Sequence, residues 1–242
     1  MAIVEFGTNR LRYIVARAYT KKGHAVWEGF YRSIRDHPLF ASPAAQIFEI
    51  HALLSLWHYN GVFRCTCATA NFPSFDIPSY QDNLKFFYRA EELKDIAEPQ
   101  KPICLVPTSG TFPTLDAVIL TPKAVITVQI SIALKHDATE EEFDLIYKNL
   151  PHDLLAKRPN RHHVFITDDE INAKSLREQN QTQIPNGTLV YSAVIGVSTS
   201  VATEERVDAL EKARVSMSWL CAIWYLLGNM QAPPSEAMGT DD

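Results

Sequence analysis

One stretch constrains the fold more than any other: FPTLDAVILTPKAVITVQISIALKHD, residues 112–137. Two apolar runs flank a Pro-Lys break, which predicts an antiparallel hairpin. Within ITVQISI the alternation is clean, with Ile126, Val128, Ile130 and Ile132 on one face and Thr127, Gln129 and Ser131 on the other. Such a polar face either meets solvent, as on an edge strand, or lines a site. Asp116, one residue into the first strand behind Pro113, poses the same choice between capping the preceding turn TSGTFP and belonging to that site.

The flanking segments supply helices and more strands. SPAAQIFEIHALLSLWHYNG carries an N-cap residue in Ser42, a first-position proline in Pro43 and an exit at Asn60-Gly61. VFRCTCA, PICLVP, HHVFITD and TLVYSAVIGV read as strands. Thr139 and Glu142 form a capping box for a further helix whose first turn holds Glu140 and Glu141. Residues 72–100 give little signal beyond a short helix in RAEELKDIAEPQK, and INAKSLREQN reads as a short helix or a loop. Val207, Leu210, Met217, Leu220 and Trp224 stand at helical spacing over residues 203–227. The whole is α/β, a mixed central sheet flanked by helices. We expect a helical lead segment over 1–40, broken near Lys22-Gly23, a domain over 41–228 and a disordered tail over 229–242.

Length allows this core without staples: 242 residues suffice for one sizeable α/β domain. Cys65 and Cys67 point the same way from one strand and Cys104 and Cys221 lie far off, which predicts free thiols and a reducing compartment. No signal peptide is evident, and the longest apolar stretch, MSWLCAIWYLLG, falls short of the roughly 20 residues that span a bilayer. A soluble, intracellular chain without a membrane partner is expected. Acidic residues outnumber basic ones, 28 to 23, which disfavours indiscriminate coating of nucleic acid but permits a local basic surface. One candidate is KRPNRHH, with Lys157, Arg158, Arg161 and His162. The other runs from Arg10 to Arg35, where Arg10, Arg12, Arg17, Lys21, Lys22, Arg32 and Arg35 face Glu28 alone. Ordinary solvated faces would give the same patterns.

Glu49 completes the set of polar groups. Its helical neighbours are Ala45, Ala52, Leu53 and Leu56, with His51, Ser55 and His58 on the opposite side. A carboxylate in an apolar stripe is neutral, paired or bound to a cation. Mg²⁺ takes oxygen ligands, one or two carboxylates with waters and a substrate phosphate, so Asp116 and Glu49 would suffice if the fold joins them, with Gln129 ligating weakly or orienting a water.

AAQIFEIHALLSLWHYNGVFRC, VPTSGTFPTLDAVIL, VQISIALKHDA and HHVFITD, in this order over residues 40–197, resemble the C-terminal domain of Crinkler-type effectors and the related retrotransposon hot spot proteins. The resemblance implies a restriction-endonuclease-like, PD-(D/E)XK, fold and Mg²⁺-dependent cleavage of DNA, in the host nucleus for an effector. It would make Glu49 the helix acid, Asp116 the metal-binding aspartate and Gln129 the second acid or amide. The family's lysine falls at Ser131, which cannot steady a developing charge; on this resemblance Lys135, or His136, would reach in from the strand end in its place. The alternative is a module that keeps the fold without the chemistry and binds nucleic acid or a host protein. The chain has no GxxxxGK[ST] phosphate loop, so the module either stands alone or belongs to a longer protein. A third class, a hydrolase built on a serine or cysteine nucleophile, is disfavoured by the lack of a GxSxG elbow and of a suggestive Cys/His pair.

Overall fold

The computed structural model describes residues 24–35, 41–58, 62–67, 72–78, 83–107, 115–134, 140–180, 184 and 187–195. In chain order these form α1 (His24–Arg35), α2 (Ala41–His58), β1 (Val62–Cys67), β2 (Phe75–Pro78), β3 (Leu84–Phe87), a 3-10 turn (Ala90–Asp95), β4 (Ile103–Pro107), β5 (Ala117–Leu120) and β6 (Ala124–Ile130). Then follow α3 (Glu140–Asn149), α4 (His152–Ala156), β7 (Asn160–Thr167), α5 (Glu170–Gln179) and β8 (Thr188–Val194). The 203–227 helix, the 229–242 tail, the basic residues from Arg10 to Lys22, Thr139, Lys135 and His136 lie outside the described residues.

The eight described strands form one sheet in the order β2-β1-β8-β7-β6-β5-β4-β3. The hairpin is present: β5 and β6 pair antiparallel from Ala117–Val128 to Leu120–Val125. Its turn is closed by Thr121, whose hydroxyl accepts from the Ala124 amide at 2.9 Å. β4 pairs antiparallel with β5, so β4-β5-β6 is a meander. Connections carrying α3 and then α5 lead to β7 and β8, each parallel to the strand before it. Parallel strands need such crossovers, and the helices cover the sheet they return to.

Each face carries its own apolar layer. Ala124, Ile126 and Val128 of β6 join Ile47, Phe48, Leu53 and Leu56 of α2 on one side. Val125 joins Phe143 and Ile146 of α3, Leu154 of α4 and Leu176 of α5 on the other. Of the two alternatives for the polar face of β6, the solvated edge strand is therefore the one overturned. β6 lies between two neighbours with both faces covered, and Thr127, Gln129 and Ser131 are only 0%, 1% and 7% exposed.

Two short edge strands, β2 and β3, and the helix α4 come from segments that the pattern left unassigned. The 3-10 turn takes the place of the short helix expected there. Glu92 closes it by accepting from the Arg89 amide at 3.0 Å. INAKSLREQN resolves as helix, with the Asp169 carboxylate accepting from the Asn172 amide at 2.8 Å as N-cap. Among the described residues no helix is long and apolar enough to cross a membrane.

Phe143, fully buried and edge-on to His163 with centroids 5.0 Å apart, fastens α3 to the sheet. Phe143→Ala should lower unfolding free energy by about 3–5 kcal/mol, measured by urea denaturation.

Candidate functional site

The hairpin end holds the first group of candidates. Extending the β5–β6 register by one pair beyond Ala117–Val128 sets Asp116 opposite Gln129. The Asp116 amide donates to the Val128 carbonyl at 2.9 Å, and its carboxylate accepts from the Ile130 amide at 2.6 Å. Asp116 thus closes the ladder with its own side chain, at the end where β6 finishes. Gln129 enters the buried layer beneath α3 and α5, the face that also takes Thr127, whose hydroxyl lies 2.9 Å from His163 Nδ1.

Ser131 continues that row. Its amide donates to the Ile166 carbonyl at 2.9 Å and its hydroxyl accepts from the Ala133 amide at 3.1 Å, so it shapes the exit of the strand. The structure therefore brings Asp116 and Gln129 together. Glu49 is half-buried on α2, the helix that covers the opposite face of the sheet from the one Gln129 enters. His51 and Ser55, expected on a polar side of that helix, are buried too. The helix is enclosed on more than one side because α1 packs against it, with Tyr31 stacked on Phe48 at 6.2 Å.

Pattern reading missed a second group, centred on Asp168 where β7 ends. Its side chain is 5% exposed and accepts from the Tyr31 hydroxyl at 2.6 Å. The Arg35 guanidinium pairs with both Asp168 and Asp169. Asn172 Nδ2 donates to Asp168 at 3.4 Å and to the Ile132 carbonyl at 3.0 Å. Burial, then the hydrogen bond and charge of Asp168, push the Tyr31 phenol far above its ordinary range. Burial works against the Arg35 charge, but Asp168 and Asp169 leave it held more firmly than usual. The available signals were the Asp-Asp pair after a strand and the i, i+4 spacing of Tyr31 and Arg35.

The expected basic surface at Lys157 to His163 is not assembled, and each residue has a separate reason. Arg158 is 1% exposed; its guanidinium donates to the Thr121 carbonyl, to the Leu154 carbonyl at 3.0 Å and to Glu98 at 2.6 Å. These contacts make it a structural residue with nothing to offer a phosphate. Lys157 is exposed but pairs with the same Glu98 at 3.3 Å, and Arg158 above all holds that carboxyl below its ordinary range. Arg161 lies 4.5 Å above the Tyr147 ring. His162 stacks on Phe75 at 4.8 Å and meets Tyr191 edge-on at 5.1 Å, and burial lowers its pKa, which weakens any cationic role at neutral pH. From the second candidate surface, Arg35 is engaged by Asp168 and Asp169.

Cys65, Cys67 and Cys104 are free, and burial pushes the Cys104 thiol up to about 12. Among the described residues no three His, Cys, Asp or Glu side chains cluster as a metal site. The oxygen donors of Asp116, Gln129 and Glu49 are nonetheless of the kind Mg²⁺ takes, and one or two carboxylates suffice for that ion. Comparison with known proteins finds no family model that matches the chain, no significantly similar curated protein and no significantly similar solved structure.

Arg158→Met should cost about 2–4 kcal/mol in urea denaturation, because the buried Leu154 carbonyl and the partly buried Thr121 carbonyl lose their donor. His162 gives a pH signature. Its folded pKa lies below the unfolded value, so the neutral form contributes stability above about pH 6.5 that is lost as pH falls through the folded pKa. Between pH 7.5 and 5.5 the wild type should lose more unfolding free energy than His162→Phe, measured by denaturant titration at each pH.

Proposed function

We propose that the chain is a restriction-endonuclease-like domain that cleaves DNA phosphodiesters with Mg²⁺, centred on Asp116 at the open end of the β5–β6 hairpin. One observation carries this reading: a carboxylate and an amide, Asp116 and Gln129, sit across from each other where the two strands end. The order of elements is compatible with it: after α2, with β1 to β3 and the 3-10 turn intervening, come the β4-β5-β6 meander, the crossover helices α3 and α4 and the parallel strand β7. Bound there, Mg²⁺ would supply a polarised water and stabilise the leaving oxygen. Asp116 would hold the ion while its bond to the Ile130 amide fixes the carboxylate plane. Gln129 would orient a ligand through its amide oxygen, while Glu49, on the helix that covers the opposite face of the sheet, stands outside this pair.

A second reading has its own support. Ser131, where the family's lysine would stand, is nearly buried and engaged in shaping the strand exit, so that position supplies no cation. A module of the same fold that binds nucleic acid or a host protein without cleaving it accounts for this.

Asp116→Asn separates the two. The amide oxygen can still accept from the Ile130 amide, while the charge that would hold the ion is gone. Cleavage of plasmid DNA by the purified protein in Mg²⁺ should fall by about 100-fold or more with the circular dichroism spectrum unchanged. Wild-type protein inert in Mg²⁺ and Mn²⁺, or a variant as active as wild type, would reject the nuclease.

A further inference from the structure

The two faces of β1 differ in what they meet. Phe63, Cys65 and Cys67 turn into the apolar layer beneath α2, so Arg64 and Thr66 take the opposite face, and both are exposed. On that opposite face α5 packs over β7 and β8. One side chain of α5, Arg177, reaches past β8 to β1.

Arg177 is partly buried. Its Nη1 donates to the buried Ser192 hydroxyl at 2.7 Å and lies 3.5 Å from the Thr66 carbonyl, and Ser192 and Thr66 are paired across β8 and β1. These contacts hold one end of the guanidinium. Its Nε is buried with no acceptor, and the carboxylate next to it in the chain, Glu178, pairs with Lys174 instead. Among the described residues no carboxylate pairs with Arg177, whereas Arg35 and Arg158 each meet an acid. A donor withdrawn from water and left unmade is costly, and the Nε–Nη2 fork of an arginine matches two oxygens of a phosphate.

Arg64 stands two residues from Thr66 on the same face of β1. Its side chain is 71% exposed, touches the Ser74 hydroxyl at 3.1 Å and reaches Asp76 only at 3.9 Å. A solvated pair at that separation leaves the positive charge largely available to another anion.

We propose that the outer face of β1, between Arg177 and Arg64, contacts the phosphate backbone of duplex DNA. Arg177 takes phosphate oxygens through its fork, and Arg64 takes a second phosphate in solvent. Three strands, β8, β7 and β6, stand between β1 and β5, so this surface is separate from Asp116 and holds a duplex without acting on it. The inference rests on DNA being the ligand, which a nuclease and a non-cleaving DNA-binding module share, and not on cleavage.

Fluorescence anisotropy of a labelled duplex, titrated with the full chain in Ca²⁺ in place of Mg²⁺ between about 50 and 200 mM salt, reads binding without cleavage. For wild type, log K should fall linearly with log salt. Arg177→Met and Arg64→Met should each flatten that slope by about 0.9 and weaken binding about eightfold near 0.1 M salt, the effect of one lost phosphate contact. Arg177→Lys, which keeps the charge, should keep a slope near that of wild type, an outcome that a purely structural arginine would not give. Should Arg177→Met fail to fold, Arg64→Met decides, because its side chain lies in solvent. An unchanged slope in either methionine variant that melts like wild type would overturn this surface and leave DNA binding intact. Wild type that does not bind the duplex would overturn the DNA reading and this surface together.

Discussion

The position of β6 governs the rest of the structure. Strands buried on both faces usually read as continuous apolar runs. β6 instead alternates, and its pairing with β5 on one side and β7 on the other draws Thr127 and Gln129 into the interior, with Ser131 just beyond. A polar group left unsatisfied there costs about 1–3 kcal/mol. Neighbouring elements answer that demand at named points. His163 of β7 meets Thr127, the Ala133 amide meets Ser131, and Asp116 takes the Ile130 amide where the β5–β6 ladder stops. An interior row of this kind contradicts local burial preference, and such contradictions concentrate where function or specificity requires them.

Charge follows a related rule. Among the described residues, Arg158 and Asp168 are deeply buried ionic side chains, and each is answered by a group distant in sequence: Glu98 for one, Arg35 for the other. A buried pair of this type adds little net stability over an apolar equivalent, but removing one partner is costly, so it fixes which segments must meet. Arg158 ties α4 to the β5–β6 turn, and Asp168 ties α1 to the end of β7. The same pairing withdraws cations from the surface. What looks in the sequence like a basic run from Lys157 to His163 is, in space, a buried arginine, a lysine beside Glu98, an arginine over Tyr147 and a histidine among aromatic rings.

Elements with local punctuation were legible, and those held by tertiary contact were not. Ser42, Pro43 and the long apolar run gave α2 within a residue or two, and alternation around the Pro-Lys break gave β5 and β6. β2 and β3 are four residues each, too short for a period to declare itself, and take their identity from pairing with β1 and β4. The solvation of a polar strand face is equally invisible locally. ITVQISI has the same pattern at an edge or at the centre, and only the later arrival of β7 decides which. Of the candidate site, the nearness of Asp116 and Gln129 could be read from hairpin register, because antiparallel pairing is a local rule. The Asp168 cluster could not, because it joins α1 to β7.

The hairpin itself limits what chemistry Asp116 can perform. A nuclease built on this site needs positive charge near the scissile phosphate, and the hairpin offers one lysine, Lys123, in the turn beyond Thr121. β6 runs from Ala124 to Ile130 before reaching Asp116, which at the rise of an extended strand is roughly 20 Å, beyond the reach of a lysine side chain. A lysine at 131 would occupy a place that is 7% exposed and would lose charge to burial unless a carboxylate stood close. Serine avoids that cost and lets the strand turn out through its hydroxyl. Any cation assisting at Asp116 must therefore arrive from a segment other than β5–β6, either carried by the protein or brought as the metal. This makes the charge of Asp116, more than any basic residue of the hairpin, the quantity on which catalysis by this fold would turn.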